Sequence, residues 1–274
     1  MDFLTVLLLA LIQALTEFLP ISSSAHLFLA GEWYGSGYQG LIFDLGLHLG
    51  TLMAVLVYFR RDWIALAAAA WRWRPGTPMN DEQRTLLGLT LATIPGGLAA
   101  LALGDAGATA LRTYLVIGCT QIVFGTLLWY AFSRAGRSTR GERSLSVGQA
   151  LVVGCAQALA LIPGVSRSGI TMTAGLFLGL ERQAAARFSF LLAVPITAAA
   201  GLHGVMELMK AGNDTDVGSF WLGAAISAVA GWFCIHFFLS VIRSIGMLPF
   251  FLYRLGLGLL LLWFAISPVA TATQ

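Results

Sequence analysis

Charge is what this sequence has least of. Asp, Glu, Lys and Arg together make up 11% of its 274 residues, against roughly 25% in soluble globular domains, and that scarcity excludes a fold solvated on all sides. Lysine is nearly missing, since Lys210 stands alone beside fifteen arginines, and the formal net charge is only +3. So weak and scattered a positive charge also excludes a nucleic-acid binder. Cysteine is sparse too: Cys119, Cys155 and Cys234 each lie inside an apolar run, with no CxxC or other metal-ligand spacing. They are expected to be small buried hydrophobes rather than ligands.

What fills the sequence instead is apolar. Hydrophobic residues make up 58% of it and the mean hydropathy is +0.81. Abundant Gly, Phe and Trp suit helices that pack closely in lipid and carry aromatic rings near the interfaces. The expected fold class is an all-α polytopic membrane protein, one membrane domain over residues 1–274. Residues 1–19 have no basic n-region and no small-x-small cleavage site, so they are read as mature protein rather than a signal peptide. Apolar runs of spanning length at 41–59, 85–103, 111–132, 184–209, 220–241 and 247–266 predict six transmembrane helices.

Two further apolar regions are broken. Residues 1–19 run into Pro20-Ile-Ser-Ser-Ser-Ala-His26, and residues 147–162 run into Pro163-Gly-Val-Ser-Arg-Ser-Gly169. Proline and serines at membrane depth leave backbone groups that lipid cannot satisfy. The economical expectation is two re-entrant helix hairpins; the alternative is a pair of Pro-kinked crossings. Arginine then sets the orientation, because short cytoplasmic loops are enriched in it. Arg60, Arg61, Arg72, Arg74 and Arg84 precede the second crossing, Arg134, Arg137, Arg140 and Arg143 follow the third, and Arg182, Arg187 and Arg243 fall on the same side if the second break is re-entrant. Only Arg112 and Lys210, beside the polar loops 104–109 and 211–218, fall opposite. This places both termini outside the cytoplasm. Residues 61–80, with Trp63, Trp71 and Trp73 among arginines, read as an interfacial segment.

The breaks also mark a repeat. Gln13-Ala-Leu-Thr-Glu-Phe-Leu-Pro-Ile-Ser-Ser-Ser aligns, with a one-residue gap, on Gln157-Ala-Leu-Ala-Leu-Ile-Pro-Gly-Val-Ser-Arg-Ser, and each is followed by three crossings. Three is odd, so repeats 1–133 and 145–267 enter from opposite faces. An inverted-topology repeat puts a binding site near the midplane, where broken helices meet.

The polar residues at that depth indicate the chemistry. Gln13 and Glu17 share a helical face, and Ser22, Ser23, Ser24 and His26 crowd the turn that follows. Around the second break, Ser166, Arg167, Ser168 and Thr171 surround a helix start that favours an anion, and a guanidinium fork suits phosphate oxygens. Acid-base and metal-binding groups facing anion-binding groups point to phosphoryl transfer. Ser22 and Ser24 also read as plain helix N-caps. Asp44 and His48, one turn apart, are either a second polar patch or a buried hydrogen-bonded pair. His203 and His236 read as core or interface residues.

At these positions the sequence resembles the bacterial undecaprenyl-pyrophosphate phosphatases (UppP, also called BacA). Gln13-x-x-x-Glu17 fits that family's (Glu/Gln)xxxGlu motif, Phe18-Leu-Pro-Ile-Ser-Ser-Ser-Ala-His26 its following loop, and Pro163-Gly-Val-Ser-Arg-Ser-Gly-Ile-Thr171 its PGxSRSxxT motif. The likeness extends through Phe188-Ser-Phe-Leu-Leu-Ala-Val-Pro195 to essentially the whole chain. It implies an inner-membrane enzyme that removes the terminal phosphate of undecaprenyl pyrophosphate, recycles the lipid carrier of cell-wall synthesis, confers bacitracin tolerance, and uses Mg²⁺ or Ca²⁺. By resemblance Glu17 is a metal ligand or acid-base group, with Gln13 a possible further ligand that brings no charge. Ser23 is a candidate nucleophile, and His26 its proton partner or itself the nucleophile. Ser22, Ser166, Arg167, Ser168 and Thr171 hold the diphosphate. The expected partners are a polyprenyl diphosphate lipid and the bilayer, with a homodimer as a further expectation. The alternative is a polyprenyl-phosphate transporter or flippase using the same site. PAP2-like lipid phosphatases need a Lys-x6-Arg-Pro motif that a chain whose lone lysine is Lys210 cannot supply.

Overall fold

The computed structural model describes residues 1–33, 41–136, 138–210 and 216–267. Arg137 and residues 211–215 of the polar loop named above lie outside them. Among the described residues there are eleven α-helices and no strand. A short pair, α1 (Phe3–Phe18) and α2 (Ser23–Trp33), precedes α3 (Leu41–Tyr58), α4 (Arg60–Trp71), α5 (Asp81–Ala110) and α6 (Tyr114–Arg134). A second short pair, α7 (Val147–Ala158) and α8 (Arg167–Phe177), precedes α9 (Arg182–Lys210), α10 (Val217–Ile245) and α11 (Leu248–Ile266).

Local chemistry sets several helix starts. The Asp2 carboxylate accepts from the Thr5 amide at 3.0 Å, and Asn80 with Gln83, like Ser146 with Gln149, forms a reciprocal capping box. α5, α6, α9, α10 and α11 are long and apolar enough to cross a membrane, and α3 joined to α4 through a 77° bend makes a sixth. The chain is therefore an all-α polytopic membrane protein, with every predicted crossing on one of these helices. Residues 104–109, expected as a loop, are instead helical: Gly104, at φ 61°, kinks α5, which then continues to Ala110. Glycine is free to take that left-handed conformation, so the kink interrupts the helix without ending it.

Contacts between helix ends fix the directions. Arg187, at the start of α9, pairs with Asp62 of α4 and with Glu142, each at 3.0 Å, and Arg143 pairs with Glu82 of α5 at 2.6 Å. The Arg-rich segments thus share one end of the bundle. α9 runs about 43 Å away from it, at 1.5 Å per residue, and near its far end the Met1 ammonium meets Asp216 at 2.6 Å. α1 therefore enters from the end opposite the arginines. α2 returns to that end, where Glu32 accepts from the hydroxyl of Tyr114 at the start of α6. α7 enters from the arginine end, and α8 returns there: Arg140 donates to the Leu178 carbonyl at 2.7 Å.

The long helices pack as a bundle around α9, of whose span 56% is buried, against 17% for α11. α3 lies against α9 and α10, α6 against α11, α1 against α10 and α7 against α5. Two of these crossings are backbone-close. A Cβ at Gly50 would strike the Ala224 carbonyl, and one at Gly154 would strike the backbone of Ala92, the small-residue contact by which helices approach in lipid. Phe18, Phe59, Phe188, Phe190 and Phe238 fill the centre. Cys234 is buried, but Cys119 and Cys155 are exposed. That corrects the expectation for two of the three, because an apolar run presents apolar residues to lipid and to core alike.

Candidate active site

The tips of the two short helix pairs meet inside the bundle. The Glu17 carboxylate, in the last turn of α1, takes a hydrogen bond from Arg167 Nη2 to Oε1 at 2.6 Å. Its other oxygen accepts from Ser23 Oγ at 2.8 Å and from Gln13 Nε2 at 3.2 Å, and His48 Nε2 lies 3.8 Å away. Arg167 Nη1 donates to the Ser189 carbonyl of α9 at 3.3 Å. His48 Nδ1 donates to the Asp44 carbonyl one turn back at 2.8 Å, which leaves Nε2 as the nitrogen facing the site. The Asp44 carbonyl thus orients the imidazole, and His48 stands at the same site as Glu17.

Both tips use the same backbone device. Among the described residues, Ser22 (φ 75°) and Ser166 (φ 72°) are the non-glycine residues with positive φ, a conformation worth about 1–3 kcal/mol of strain each that persists only when its surroundings impose it. Each hydroxyl is paired two residues on, Ser22 with Ser24 at 3.1 Å and Ser166 with Ser168 at 3.3 Å. Ser166 also caps α8, accepting from the Gly169 amide at 3.2 Å. Each strained serine lies nine residues after a buried glutamine, Gln13 or Gln157, so the two breaks match without the gap that aligning the prolines imposes.

A cavity of about 220 Å³ opens beside the ion pair. Its polar wall includes Glu17, Ser22, Ser23, Ser166, Arg167 and His48, and its apolar wall Gly96 of α5, Leu161, and Ile196 and Ala200 of α9. Several expected site residues stand behind this surface. Ser168 Oγ donates to the Leu19 carbonyl at 3.3 Å, which ties one tip to the other. Thr171, a turn into α8, is buried with Ser189, hydroxyl to hydroxyl at 2.7 Å. His26 does not line the cavity: Nδ1 donates to the Ser22 carbonyl at 2.7 Å, and Nε2 takes the Tyr253 hydroxyl at 2.6 Å. The structure thus brings Ser23 to Glu17 rather than to His26, because the imidazole points toward α11.

The sequence reading missed Arg254. Fully buried on α11, it donates to Pro20 O (3.1 Å) in the first tip, to Gly164 O (2.8 Å) and Val165 O (3.1 Å) in the second, and to Gln121 O (3.2 Å) on α6. Gln121 in turn donates to Ile21 O at 2.9 Å, and Thr120 to Pro163 O at 2.7 Å. These donors satisfy carbonyls that the broken helices leave open. The signal for Arg254 was an ionisable residue inside an apolar run, though no motif surrounds it.

Among the described residues no three His, Cys, Asp or Glu side chains gather as a metal cage. The donors at hand are one carboxylate, hydroxyls, one imidazole and the buried Gln13 Oε1, which has no hydrogen-bond partner among the described residues. Such a hard, oxygen-rich set fits a divalent cation that shares its coordination with phosphate oxygens and does not fit tetrahedral zinc.

Fold and site together define a polytopic membrane protein with a buried ion pair, Glu17 with Arg167, where two helix-pair tips meet. The family model described as bacitracin resistance protein BacA matches residues 6–260, and the chain belongs to that family. It is similar to the undecaprenyl-diphosphatase of Alteromonas mediterranea (46% identity, 97% of this chain and 100% of the relative). It is also similar to the undecaprenyl-diphosphatase of Teredinibacter turnerae (49%, 95% and 98%) and to undecaprenyl-diphosphatase 2 of Stutzerimonas stutzeri (47%, 96% and 98%).

Proposed function

We propose that this chain hydrolyses undecaprenyl diphosphate to undecaprenyl phosphate and inorganic phosphate in the bacterial inner membrane, recycling the carrier for cell-wall synthesis and giving bacitracin resistance. The observation that carries this reading is the contact of Glu17 with both Arg167 and Ser23. That contact supports the reading because a guanidinium, a carboxylate and a hydroxyl line one cavity in a chain whose full-length relatives are named for this reaction. The diphosphate enters between the tips and draws Arg167 from Glu17, two phosphate oxygens matching its fork. The freed carboxylate takes the Ser23 proton as Oγ attacks the terminal phosphorus. The bond to the bridging oxygen breaks, undecaprenyl phosphate leaves, and water then hydrolyses the serine phosphate to inorganic phosphate. The prenyl tail leaves over the apolar wall of Gly96, Ile196 and Ala200 into lipid.

Mg²⁺ or Ca²⁺ belongs to the proposal, with Glu17 and the Gln13 carbonyl oxygen as ligands. Such an ion would offset charge on the diphosphate. The membrane arrangement is six crossings and two re-entrant hairpins, 1–133 and 145–267 forming an inverted repeat. It is supported by α1–α2 and α7–α8 each returning to the end it came from, and by α1 on α10 mirroring α7 on α5. With the arginine end in the cytoplasm, both termini lie outside. A metal-titrated phosphate-release assay on detergent-purified protein with undecaprenyl diphosphate tests the reaction. Metal-dependent release is expected, and no release at any metal concentration refutes it.

A further inference from the structure

The cavity wall holds a buried polar side chain whose bonds neither the proposed reaction nor the described residues account for. Gln157, in the last turn of α7, is 2% exposed and lines the same cavity as Glu17, Ser23 and Arg167. Among the described residues neither its Nε2 nor its Oε1 has a hydrogen-bond partner. The other tip shows why. Gln13 donates to Glu17 one turn on, at 3.2 Å, but the residue one turn beyond Gln157 is Leu161, which accepts nothing. Gly96 of α5 packs directly beside it, where an added Cβ would come within 3.3 Å of Gln157 Nε2, and a glycine offers the amide no side chain to bond with.

A buried amide with no partner costs stability, roughly 1–3 kcal/mol for each unsatisfied group, and such groups are uncommon in native structures. They are expected where a ligand supplies the missing bonds. We infer that Gln157 contacts the substrate directly, its Nε2 donating to a diphosphate oxygen opposite Arg167. This rests on the phosphatase reading and adds to it a neutral donor from α7, so that both helices of the second pair hold the diphosphate against Ser23 of the first. A guanidinium alone holds the anion but leaves it free to rotate about the fork. A second donor on another helix fixes which phosphorus faces Ser23.

The test is Gln157→Leu in detergent-purified full-length protein, with Gln157→Met as the second variant, read by three measurements. These are kcat/KM for phosphate release from undecaprenyl diphosphate, affinity for a non-hydrolysable methylene-bridged polyprenyl diphosphonate, and Tm without ligand. The expected result is an unchanged or raised Tm, because an unsatisfied polar group is replaced by an apolar one. Diphosphonate affinity and kcat/KM should fall together by about 10- to 100-fold, the worth of one hydrogen bond to a charged acceptor. Affinity and turnover within twofold of wild type would show an amide that merely faces solvent in the cavity, and would overturn the proposal. So would a clearly lowered Tm in both variants, which would mean that protein groups already hold the amide. Wild-type protein that binds the diphosphonate but releases no phosphate would sink the hydrolase reading, and the affinity comparison would still decide on the contact.

Discussion

The tips at residues 19–24 and 163–168 share a backbone and divide the chemistry. Each has a serine forced to positive φ, a paired hydroxyl two residues on, and a buried glutamine nine residues before. Matched on those serines, Glu17 corresponds to Leu161, and Arg167 to Ser23. Two equivalent positions across the site therefore carry an ion pair in one diagonal and a leucine with a serine in the other. A site charged on both diagonals would bury two like-charged pairs at membrane depth. A single charged diagonal neutralises itself until an anion arrives, and the other diagonal stays open as cavity wall, to which Leu161 and Ser23 both belong. An almost symmetric frame thus gives a polar site a direction, with carboxylate and hydroxyl on one side and the guanidinium on the other.

The sharpest way to break this division is to remove the charge of one diagonal. Glu17→Gln keeps the shape but cannot accept the Ser23 proton, so phosphate release should fall by about 10²–10⁴, measured as kcat at saturating substrate and metal. Near-normal turnover would assign the carboxylate a structural role. Arg167→Lys tests the geometry of the clamp. An ammonium cannot serve a diphosphate with two parallel donors, and kcat/KM should fall about 10²-fold, whereas a variant close to wild type would show that any positive charge suffices.

The supports of the two tips are also unlike, which a paired measurement sharpens. Ser22 is held through its carbonyl by His26 Nδ1, and Ser166 by capping the Gly169 amide. His26→Ala should misplace Ser23 and lower kcat by roughly 10- to 100-fold. Ser166→Ala should cost about 1 kcal/mol of stability, read as a lower Tm, with a smaller loss of kcat. The reverse order would put the more demanding support on the second tip.

The smallest expected effect lies at the entry of α1. The Asp216 carboxyl is held below the usual carboxylate range, by the hydrogen bond from the Met1 ammonium first and by those from Ser219 next. A depressed folded pKa contributes stability that is complete above the unfolded value, about 3.9, and is lost as pH falls below it. Asp216→Asn should therefore leave turnover unchanged and lower Tm slightly and equally at pH 5 and pH 7. A Tm difference that opens between those two values would point to another group.

Much of this was legible in sequence because lipid penalises what it cannot solvate. Glu17 and Arg167 stand out as charges within apolar context, Pro20 and Pro163 mark the breaks, and the arginine asymmetry orders the ends. What was illegible depends on direction. Whether His26 faces Ser23 or Tyr253 is decided by α11, more than two hundred residues away, which no spacing within the loop encodes. Cys119 and Cys155 face outward from runs as apolar as the one that buries Cys234. The wall formed by Gln157 and Gly96 appears only once α5 and α7 are packed, since neither residue looks chemical by itself.

Arg254 has a consequence for the electrostatics of turnover. Its bonds run to carbonyls, not to a carboxylate, so with Arg167 and Glu17 the protein presents one net positive charge at the tips. A diphosphate monoester brings about three negative charges near neutral pH, which leaves roughly two uncompensated in a medium of low dielectric, where each is costly. One divalent cation, held by Glu17 and Gln13 as proposed, would close that gap. On this view a cation requirement of the proposed reaction would be a condition of electroneutrality for the loaded site, set by the number of arginines at the tips and not by the geometry of a cage.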